Sequence, residues 1–325
     1  MRTVVLAVAV VVLAACSPET LPVARAGLDT MLTSEAQWTP EDGDLLFTSN
    51  REGNAEIYLL EAGTSDWRNL TQHPAQDNWP EWSPDGTRIA FQSNRGGNLD
   101  IWVMNADGSH PVQLTDDPAN DYLPAWSPDG GQLTFASWRR EAGDDSEPAV
   151  HLYVMNADGS NQVRLFADSP GTSTAATWAP DGQSFLVAVK APNGQGADIY
   201  QLDPSGSVLR RFTEDEPSDG APVFSPDGSA IAFYGDRGET SALVILDADG
   251  THRRTLLAGG QQYYPRWSPD GRWLVYTAAS PDGGDDYDVM ATLADGTGSS
   301  ILLAGGPDRE AEGRWRPAPP ATTTR

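Results

Sequence analysis

Histidines, serines and clustered carboxylates are the side chains of this sequence that could take part in catalysis or hold a metal ion. The four histidines are His73, His110, His151 and His252. Two of them follow Asp-Gly pairs, one begins an apolar run and one lies in a polar stretch, so their spacing does not bring them to one point. No Gly-x-Ser-x-Gly motif supplies a nucleophile. The sequence therefore predicts no catalytic residue, no metal site and no cofactor.

Acidic residues form short clusters of the kind that can hold cations. The clusters are Asp144-Asp145, Glu214-Asp215-Glu216 and Asp285-Asp286. Residues 247–250, Asp-Ala-Asp-Gly, superficially resemble a calcium loop but lack the further oxygen ligands that such a site needs. We interpret them as a turn, and the other clusters as solvated surface. A divalent cation held by a few carboxylates remains an open alternative.

The charge balance excludes some partners. The chain has 21 Lys and Arg against 46 Asp and Glu, a net charge of −25. Phosphate backbones and anionic lipid headgroups repel such a surface. We therefore expect no nucleic-acid partner, and contact with a membrane only through an attached lipid.

The first residues of the chain indicate export. Arg2 precedes an apolar run from Val4 to Ala15, which is too short to span a bilayer and has the length of a signal-peptide core. The run ends in Leu-Ala-Ala-Cys16, which resembles the bacterial lipobox, and Cys16 is the only cysteine. We predict a lipoprotein signal peptide at 1–15, lipidation of Cys16 and a flexible tether at 16–36. The protein is then anchored on the periplasmic or cell-surface side of a bacterial membrane; an ordinary secretory peptide is the alternative.

A repeat must position whatever functional residues the chain has. Pro-Asp-Gly recurs at 84–86, 128–130, 180–182, 226–228 and 269–271, with 44, 52, 46 and 43 residues between successive prolines. Degenerate copies at 38–43 and 315–317 give seven anchors and six intervals. A period of this length is typical of propeller blades or solenoid units. Pro, Asp and Gly suit successive positions of a β-turn, so the anchor itself is interpreted as a turn.

Each interval holds four short runs rich in β-branched and aromatic residues, which predict four strands and hence one propeller blade. An aromatic residue precedes every anchor and is expected to pack between neighbouring sheets: Trp38, Trp82, Trp126, Trp178, Phe224, Trp267 and Trp315. The sequence thus predicts an all-β fold, a six-bladed β-propeller of four-stranded antiparallel blades over 37–317, with a disordered tail at 318–325. Since seven anchors serve six blades, we predict that 312–317 pairs as the innermost strand of the blade built from 45–71. Closure by 37–40 is the alternative.

A recurring acid has a structural interpretation. Asp100, Asp198 and Asp288 each lie eight residues before the glycine of the next turn. Because Asp100 follows Arg95 in a tight loop, we expect an ion pair within the blade, or bonds from loop amides to the carboxylate. An exposed pair contributes only about 0.2 to 1 kcal/mol, so this acid is interpreted as scaffold.

The repeat also resembles a known family. The phrase Trp82-Ser-Pro-Asp-Gly is followed by an Asn-Arg loop at 94–95, an Asp-Ile-Trp strand at 100–102 and an Ala-Asp-Gly turn at 106–108. These elements recur in order over about 37–317 and resemble the repeat of the TolB-like propellers, which implies six blades. TolB itself carries an α/β domain before its propeller, and only about twenty residues separate Cys16 from the first predicted strand. The Tol-system partners contacted through that domain are therefore not carried over.

The loops indicate where binding occurs. In a propeller, the short turns lie on one face and the irregular connections on the other, and variable loops on a rigid scaffold usually carry function. Aromatic residues and arginine are the side chains enriched at interface hot spots. The candidate partner-binding residues on the irregular face are Trp79, Tyr122, Trp138, Tyr234, Tyr263, Tyr264, Arg266 and Arg314. The alternative is that about half of them only pack beneath their own loops.

The sequence therefore predicts a lipid-anchored, monomeric binding or scaffold module of the cell envelope, with a protein partner on the irregular face. One alternative is a sensor or carrier that holds a small molecule or glycan in the central channel. Another is a polysaccharide lyase or hydrolase-type enzyme. A protein partner favours a flat aromatic rim, whereas a glycan or metal favours a concave channel mouth with converging polar groups.

Overall fold

The computed structural model describes residues 43–64, 66–140, 150–165, 173–190, 196–214, 218–236, 238, 240–279, 286–306 and 308–318. The predicted signal peptide, Cys16, the tether and all but the first residue of the predicted tail lie outside the described residues. So do Trp38 and the acidic pair 144–145. The described residues contain strands and turns, and no helix occurs among them.

The strands follow the chain blade by blade. The first three blades contain β1 (Leu45–Ser49), β2 (Glu56–Leu60), β3 (Trp67–Asn69), β4 (Asp77–Trp82), β5 (Arg88–Ser93), β6 (Asp100–Asn105), β7 (Val112–Gln113), β8 (Asp121–Trp126), β9 (Gln132–Ser137), β10 (His151–Asn156) and β11 (Val163–Arg164). The last three blades contain β12 (Ser173–Trp178), β13 (Phe185–Lys190), β14 (Ala197–Leu202), β15 (Val208–Arg211), β16 (Asp219–Phe224), β17 (Ala230–Asp236), β18 (Ser241–Asp247), β19 (Arg254–Gly260), β20 (Gln262–Trp267), β21 (Trp273–Ala279), β22 (Tyr287–Leu293) and β23 (Ile301–Ala304). The final strand, β24 (Glu310–Trp315), returns to the first blade.

Six antiparallel four-stranded sheets result, which confirms the six-bladed propeller. Five blades use four consecutive strands, and the first has the order β24-β1-β2-β3. The last strand is thus the innermost strand of the first blade, where Leu45 pairs with Trp315 and Ser49 with Glu310. The predicted C-terminal closure is confirmed, although the strand begins two residues earlier than 312. Pairing of the two ends covers an inner sheet edge that would otherwise be exposed.

The Pro-Asp-Gly anchor forms the turn between the first and second strands of a blade. In the second blade, the Gly86 amide donates to the Ser83 carbonyl oxygen at 2.8 Å, and Gly86 has a φ of +66°. The Asp85 carboxylate accepts from the Ser83 hydroxyl at 2.6 Å and from the Thr87 amide at 3.1 Å. Asp85 therefore braces the turn while glycine supplies the left-handed conformation, as the sequence predicts.

Apolar side chains hold neighbouring blades together. Leu46 and Ile57 of the first blade pack with Ile89, Phe91 and the anchor residue Trp82 of the second, all at most 4% exposed. The predicted role of the anchor aromatics is confirmed here. The turns also approach the adjacent blade closely: a Cβ on Gly159, which has a φ of +86°, would lie 2.8 Å from the Leu114 carbonyl oxygen. Only glycine fits that position.

The expected pairing of Arg95 with Asp100 is wrong. The Arg95 guanidinium instead contacts Asp77 of β4 in the same blade, with an Nη2 to Oδ2 distance of 2.6 Å. Asp100 accepts from Gln113 Nε2 at 2.9 Å and from the Thr115 hydroxyl at 3.3 Å. The arginine thus crosses to the innermost strand, and the acid is satisfied by neutral donors on the other side of the blade.

Candidate functional site: the central channel

Each innermost strand contains a β-bulge. Register shifts occur in β4, β8, β12, β16 and β20, and between β24 and β1. In β4, β8, β16, β20 and β24 the bulge carries a residue other than glycine at positive φ: Trp79 (54°), Leu123 (56°), Ala221 (47°), Tyr264 (55°) and Glu312 (65°). Such conformations are uncommon for these residues and are typical of functional sites. Bulges bend a strand and redirect its side chains.

Side chains of the preceding blade fix the bulges. The Trp79 amide donates to Glu312 Oε2 at 2.8 Å, and the Leu123 amide donates to Gln92 Oε1 at 3.0 Å. The Glu312 amide donates to the Thr277 hydroxyl oxygen at 3.0 Å. These bonds run between blades, so the strained backbone at the channel depends on the closed ring.

A cavity of about 540 Å³ lies in the central channel. All six innermost strands contribute to its lining, and the loop residues Gly196 and Ser218 place its opening on the irregular face. One wall is small and apolar, with residues such as Pro124, Ala125, Ala176, Ala188, Ala221 and Pro222. The other wall carries large aromatic and charged side chains, namely Trp79, Tyr264, Arg266 and Arg314. The cavity is therefore amphipathic, and of a size that suits a small ligand or the end of a peptide.

Four of the predicted aromatic residues form one group, which we call the aromatic cluster: Trp79, Tyr234, Tyr263 and Tyr264. The centroids of the Trp79 and Tyr264 rings are 4.7 Å apart, and those of Tyr234 and Tyr263 are 5.2 Å apart, both edge to face. Burial raises the pKa of Tyr234 to about 12, so its hydroxyl remains protonated at neutral pH. Every member is partly buried.

The other two predicted aromatic residues lie apart from this cluster. Trp138 is 43% exposed, and its side chain hydrogen-bonds to Tyr122. Burial raises the pKa of Tyr122 to about 12. Neither residue lines the channel cavity, so the two form a separate pair at the third blade, in which Tyr122 is partly buried and Trp138 is exposed.

The fifth residues of the innermost strands occupy equivalent register positions, and we call them the middle ring: Glu81, Ala125, Thr177, Val223, Arg266 and Arg314. Arg314 Nε donates to Glu81 Oε2 at 2.7 Å. Arg266 Nη1 donates to its neighbour's carbonyl oxygen, Pro265 O, at 2.9 Å. Burial, and next the nearby Arg314, lower the pKa of Arg266 to about 9. Arg266 therefore remains charged at neutral pH.

Four innermost strands begin with a buried acid, and we call these acids the mouth layer: Asp77, Asp121, Asp219 and Glu310. Each is at most 1% exposed and faces an arginine of its own blade. The pairs are Arg95–Asp77 at 2.6 Å, Arg139–Asp121 at 2.5 Å, Arg51–Glu310 at 2.9 Å and Arg253–Asp219 at 3.7 Å. Burial raises the pKa of Asp121 and of Glu310, while their arginines oppose the shift. The mouth layer is thus a set of matched charges.

The sequence reasoning missed two acidic residues of the channel, Glu81 and Glu312. Glu81 holds Arg314, and Glu312 accepts from the Thr48 hydroxyl at 2.7 Å as well as from the Trp79 amide. A signal was present: Glu81 stands one residue before an anchor tryptophan, as Arg266 and Arg314 do. Alignment of the repeats at that position would have found it.

The remaining candidate groups do not converge. Asp249 accepts from the Thr251 amide and hydroxyl within a turn, which confirms the turn interpretation of 247–250. His110 and His252 occupy turns, and His151 begins β10. Within the part of the chain that the structure describes, no three His, Cys, Asp or Glu side chains are grouped as metal ligands. The same part contains no helix with the length and apolar character needed to cross a membrane.

Solved structures and curated relatives resemble this chain. A crystal structure of TolB from Acinetobacter baumannii superposes with a TM-score of 0.71 at 21% identity, covering 85% of this chain and 67% of that one. An oligogalacturonate lyase in complex with manganese superposes with a TM-score of 0.58 at 14% identity, covering 84% and 77%. At such identities the likeness concerns the fold alone.

An uncharacterized protein of Agrobacterium fabrum (strain C58) is 30% identical over 177 residues, which is 49% of this chain and 59% of that protein. An uncharacterized peptidase of Bacillus subtilis is 29% identical over 151 residues, 45% of this chain and 21% of that protein. The chain thus spans less than two thirds of these relatives. The family described as the TolB beta propeller domain matches residues 26–109, 80–166 and 145–312. With six such blades around one channel and family matches over most of its length, the chain belongs to the TolB beta-propeller family.

Proposed function

We propose that this protein is a binding module of the bacterial envelope that captures a protein partner at the channel mouth on its irregular face. One observation carries the proposal: three members of the aromatic cluster and two arginines line one amphipathic cavity, namely Trp79, Tyr234, Tyr264, Arg266 and Arg314. Aromatic residues and arginine dominate the binding energy of interfaces, above all where they lie in pockets that exclude water. Resemblance to a TolB supports this function by family, without naming the partner.

The location of the module is part of the same proposal. Lipidation of Cys16 would hold the protein at the membrane, and the polar stretch up to residue 36 would serve as a tether. Cys16→Ser is expected to move the protein into the soluble fraction, because a thiol-linked lipid can no longer form. Unchanged membrane partitioning of this variant would show that the anchor is wrong, whatever the propeller binds.

A second candidate function is retention of a small molecule or glycan in the channel. The concave cavity, with arginines on one side, favours it. The two candidate functions differ in where the ligand binds. A protein partner contacts the loops around the channel mouth, whereas a small ligand lies wholly inside the channel. A partner captured by the isolated protein, with no small ligand retained, favours the first candidate.

A pull-down from the native envelope, run beside thermal melts, tests the proposed function. Trp79→Ala and Tyr264→Ala should weaken capture about thirtyfold, since truncating a hot-spot aromatic costs about 2 kcal/mol or more. Ser109→Ala and Thr251→Ala change side chains in turns on the opposite face and should leave capture intact. The proposal fails if the opposite-face variants reduce capture more, or if the aromatic variants retain full capture while folded.

A further inference from the structure

One channel arginine lacks the partner that its neighbours have. Arg314 is held by Glu81, and the mouth-layer arginines are held by their acids. Arg266, by contrast, has no carboxylate within ion-pair distance among the described residues, and its one hydrogen bond goes to Pro265 O. A guanidinium has five N–H donors in a planar fork. Most of the donors of Arg266 are therefore left to whatever occupies the cavity that this residue lines.

The charges of the middle ring do not balance. Arg266 and Arg314 carry two positive charges, Glu81 carries one negative charge, and the other three positions are uncharged residues. Glu81 is within 2.7 Å of Arg314, so its charge is largely committed there. The six positions of the middle ring therefore carry one net positive charge, and the other channel acid, Glu312, is hydrogen-bonded to Thr48 and to the Trp79 amide. The positive charge of the ring stands out because the chain as a whole has a net charge of −25.

Placing an unmatched cation there is costly for the fold. Burial penalises a charged side chain unless a counter-charge compensates it. Burial and the repulsion from Arg314 act together on Arg266, as the lowered pKa of its guanidinium shows. A cation kept at such a position is typical of a binding site whose counter-charge arrives with the ligand.

We propose that Arg266, assisted by Arg314, binds a carboxylate group carried by a ligand with a compact apolar body. The inference rests on the proposed function and names the chemistry that the channel recognises. The guanidinium fork matches a carboxylate in two parallel hydrogen bonds. The apolar body would lie between the aromatic cluster and the wall of small residues opposite, such as Ala176 and Ala221. The terminal carboxylate of a partner's peptide chain meets both requirements.

The surroundings disfavour other anions and sugars. Glu81, Glu312 and Asp219 lie close by, so a doubly charged phosphate would meet more repulsion than a singly charged carboxylate. A sugar acid carries hydroxyl groups that need hydrogen-bond partners when buried. The alanine and proline side chains of the apolar wall offer none, so only a few polar lining residues, such as Thr177 and Ser218, could bond these hydroxyl groups.

Calorimetric titration of the full chain tests this with matched probes. N-acetyl-phenylalanine carries the carboxylate, and N-acetyl-phenylalaninamide replaces it with a neutral amide. We expect the acid to bind at least tenfold more tightly than the amide, and Arg266→Gln to abolish that preference. Arg272→Gln, whose side chain is 62% exposed in a turn, should keep it. Equal binding of acid and amide, no binding of the acid, or full preference in Arg266→Gln would each overturn the proposal. Tighter binding of galacturonate than of N-acetyl-phenylalanine would overturn the apolar body.

Melting temperatures without any probe separate a binding role from a structural one. Arg314→Gln should lower the melting temperature, because it breaks the pair with Glu81. Arg266→Gln should leave it unchanged or raise it, because no partner is lost and repulsion is relieved. A fall as large as that of Arg314→Gln would assign Arg266 to the scaffold instead. The pull-down is independent: acid binding without loss of capture in Trp79→Ala would sustain the carboxylate site and reject the capture surface.

Discussion

The mouth layer and the middle ring are the first and fifth residues of the same innermost strands, and they treat charge in opposite ways. In the mouth layer, every buried acid faces an arginine, at distances from 2.5 to 3.7 Å. In the middle ring there are two arginines and one glutamate, and the glutamate pairs with Arg314 alone. The strands, the bulges and the packing between blades are common to both layers. The difference therefore lies in side-chain chemistry and not in architecture.

The comparison separates scaffold from site. Removing one partner of a buried ion pair leaves the other charge buried and unpaired, which destabilises the fold. The matched pairs of the mouth layer therefore stabilise the propeller. Three of its arginines, Arg51, Arg95 and Arg139, come from the loops between the second and third strands of their blades. They reach inward to the strand that begins the same blade. The middle ring has no such loop arginines, and its surplus charge faces the cavity.

The largest expected effect on stability comes from deleting β24, which contributes one residue to the mouth layer and one to the middle ring. Deletion of residues 310–325 removes β24 and with it Glu310, Arg314 and the partner of β1. All six β24 residues are buried. Without this strand the first blade has three strands and an open inner edge. We expect the melting temperature of the truncated protein to be lower than that of the full chain by more than about 10 °C.

Deletion of 318–325 is the matched control for the strand deletion. It begins after the last residues that contact the first blade, such as Arg316, whose amide donates to Asp44 O at 2.7 Å. Scanning calorimetry of both truncations decides the matter. Equal melting temperatures would mean that β24 is not what closes the ring.

A smaller effect is expected from breaking one pair of the mouth layer. Arg95→Ala leaves Asp77, which is fully buried, without its counter-charge. The free energy of unfolding should fall by about 3 kcal/mol. Adding Asp77→Asn to that variant should restore part of the loss, since the stranded charge is removed. Urea denaturation of the single and double variants measures both steps.

Arg272→Ala is the control for Arg95→Ala, because it breaks an exposed ion pair instead of a buried one. Its pair with Asp270 spans 3.6 Å with the arginine side chain 62% exposed, and such surface pairs contribute about 0 to 1 kcal/mol. If Arg95→Ala lowers the free energy of unfolding no more than Arg272→Ala does, the ion pairs of the mouth layer do not stabilise the propeller. The contrast with the middle ring then disappears.

Most of the fold could be predicted from the sequence because its determinants are local and repeated. The Pro-Asp-Gly turns, the period of the anchors and the aromatic before each anchor fix strands, blade number and packing. Closure followed from one surplus anchor. The ends of strands were less accessible, as β24 begins at Glu310 and not at 312, because backbone pairing with β1 rather than side-chain type decides its first residues.

The site could be predicted in part. Trp79 and Tyr264 share one repeat position, Arg266 and Arg314 share another, and all four line the channel cavity. Tyr122 and Trp138 instead form a pair at the third blade. The partner of Arg95 was missed because the loop crosses to Asp77, eighteen residues back in the chain. The unmatched state of Arg266 depends on bulges in several strands, and no local pattern in the sequence encodes their combined geometry.

The smallest expected effect concerns Asp100, a buried acid that belongs to neither layer and has only neutral partners among the described residues. Burial, and next the charge of Asp121, raise the pKa of Asp100 to about 6 from its ordinary 3.8. The folded state therefore takes up this proton more readily than the unfolded state, so the residue stabilises the fold at low pH. That contribution is lost as the pH rises through about 6. Asp100→Asn should remove it, and the stability of the wild type relative to the variant should fall by about 2 kcal/mol between pH 4 and pH 7.5.

Asp249→Asn is the control for this pH dependence. Hydrogen bonds from Thr251 lower the pKa of Asp249, so Asp249 titrates below this pH window. The stability of its variant should therefore change with pH as that of the wild type does. Urea midpoints at the two pH values check the result. Parallel slopes for wild type and Asp100→Asn would show that Asp100 is charged in the folded state throughout, and that the neutral donors of Gln113 and Thr115 stabilise a buried carboxylate as well as the arginines of the mouth layer do.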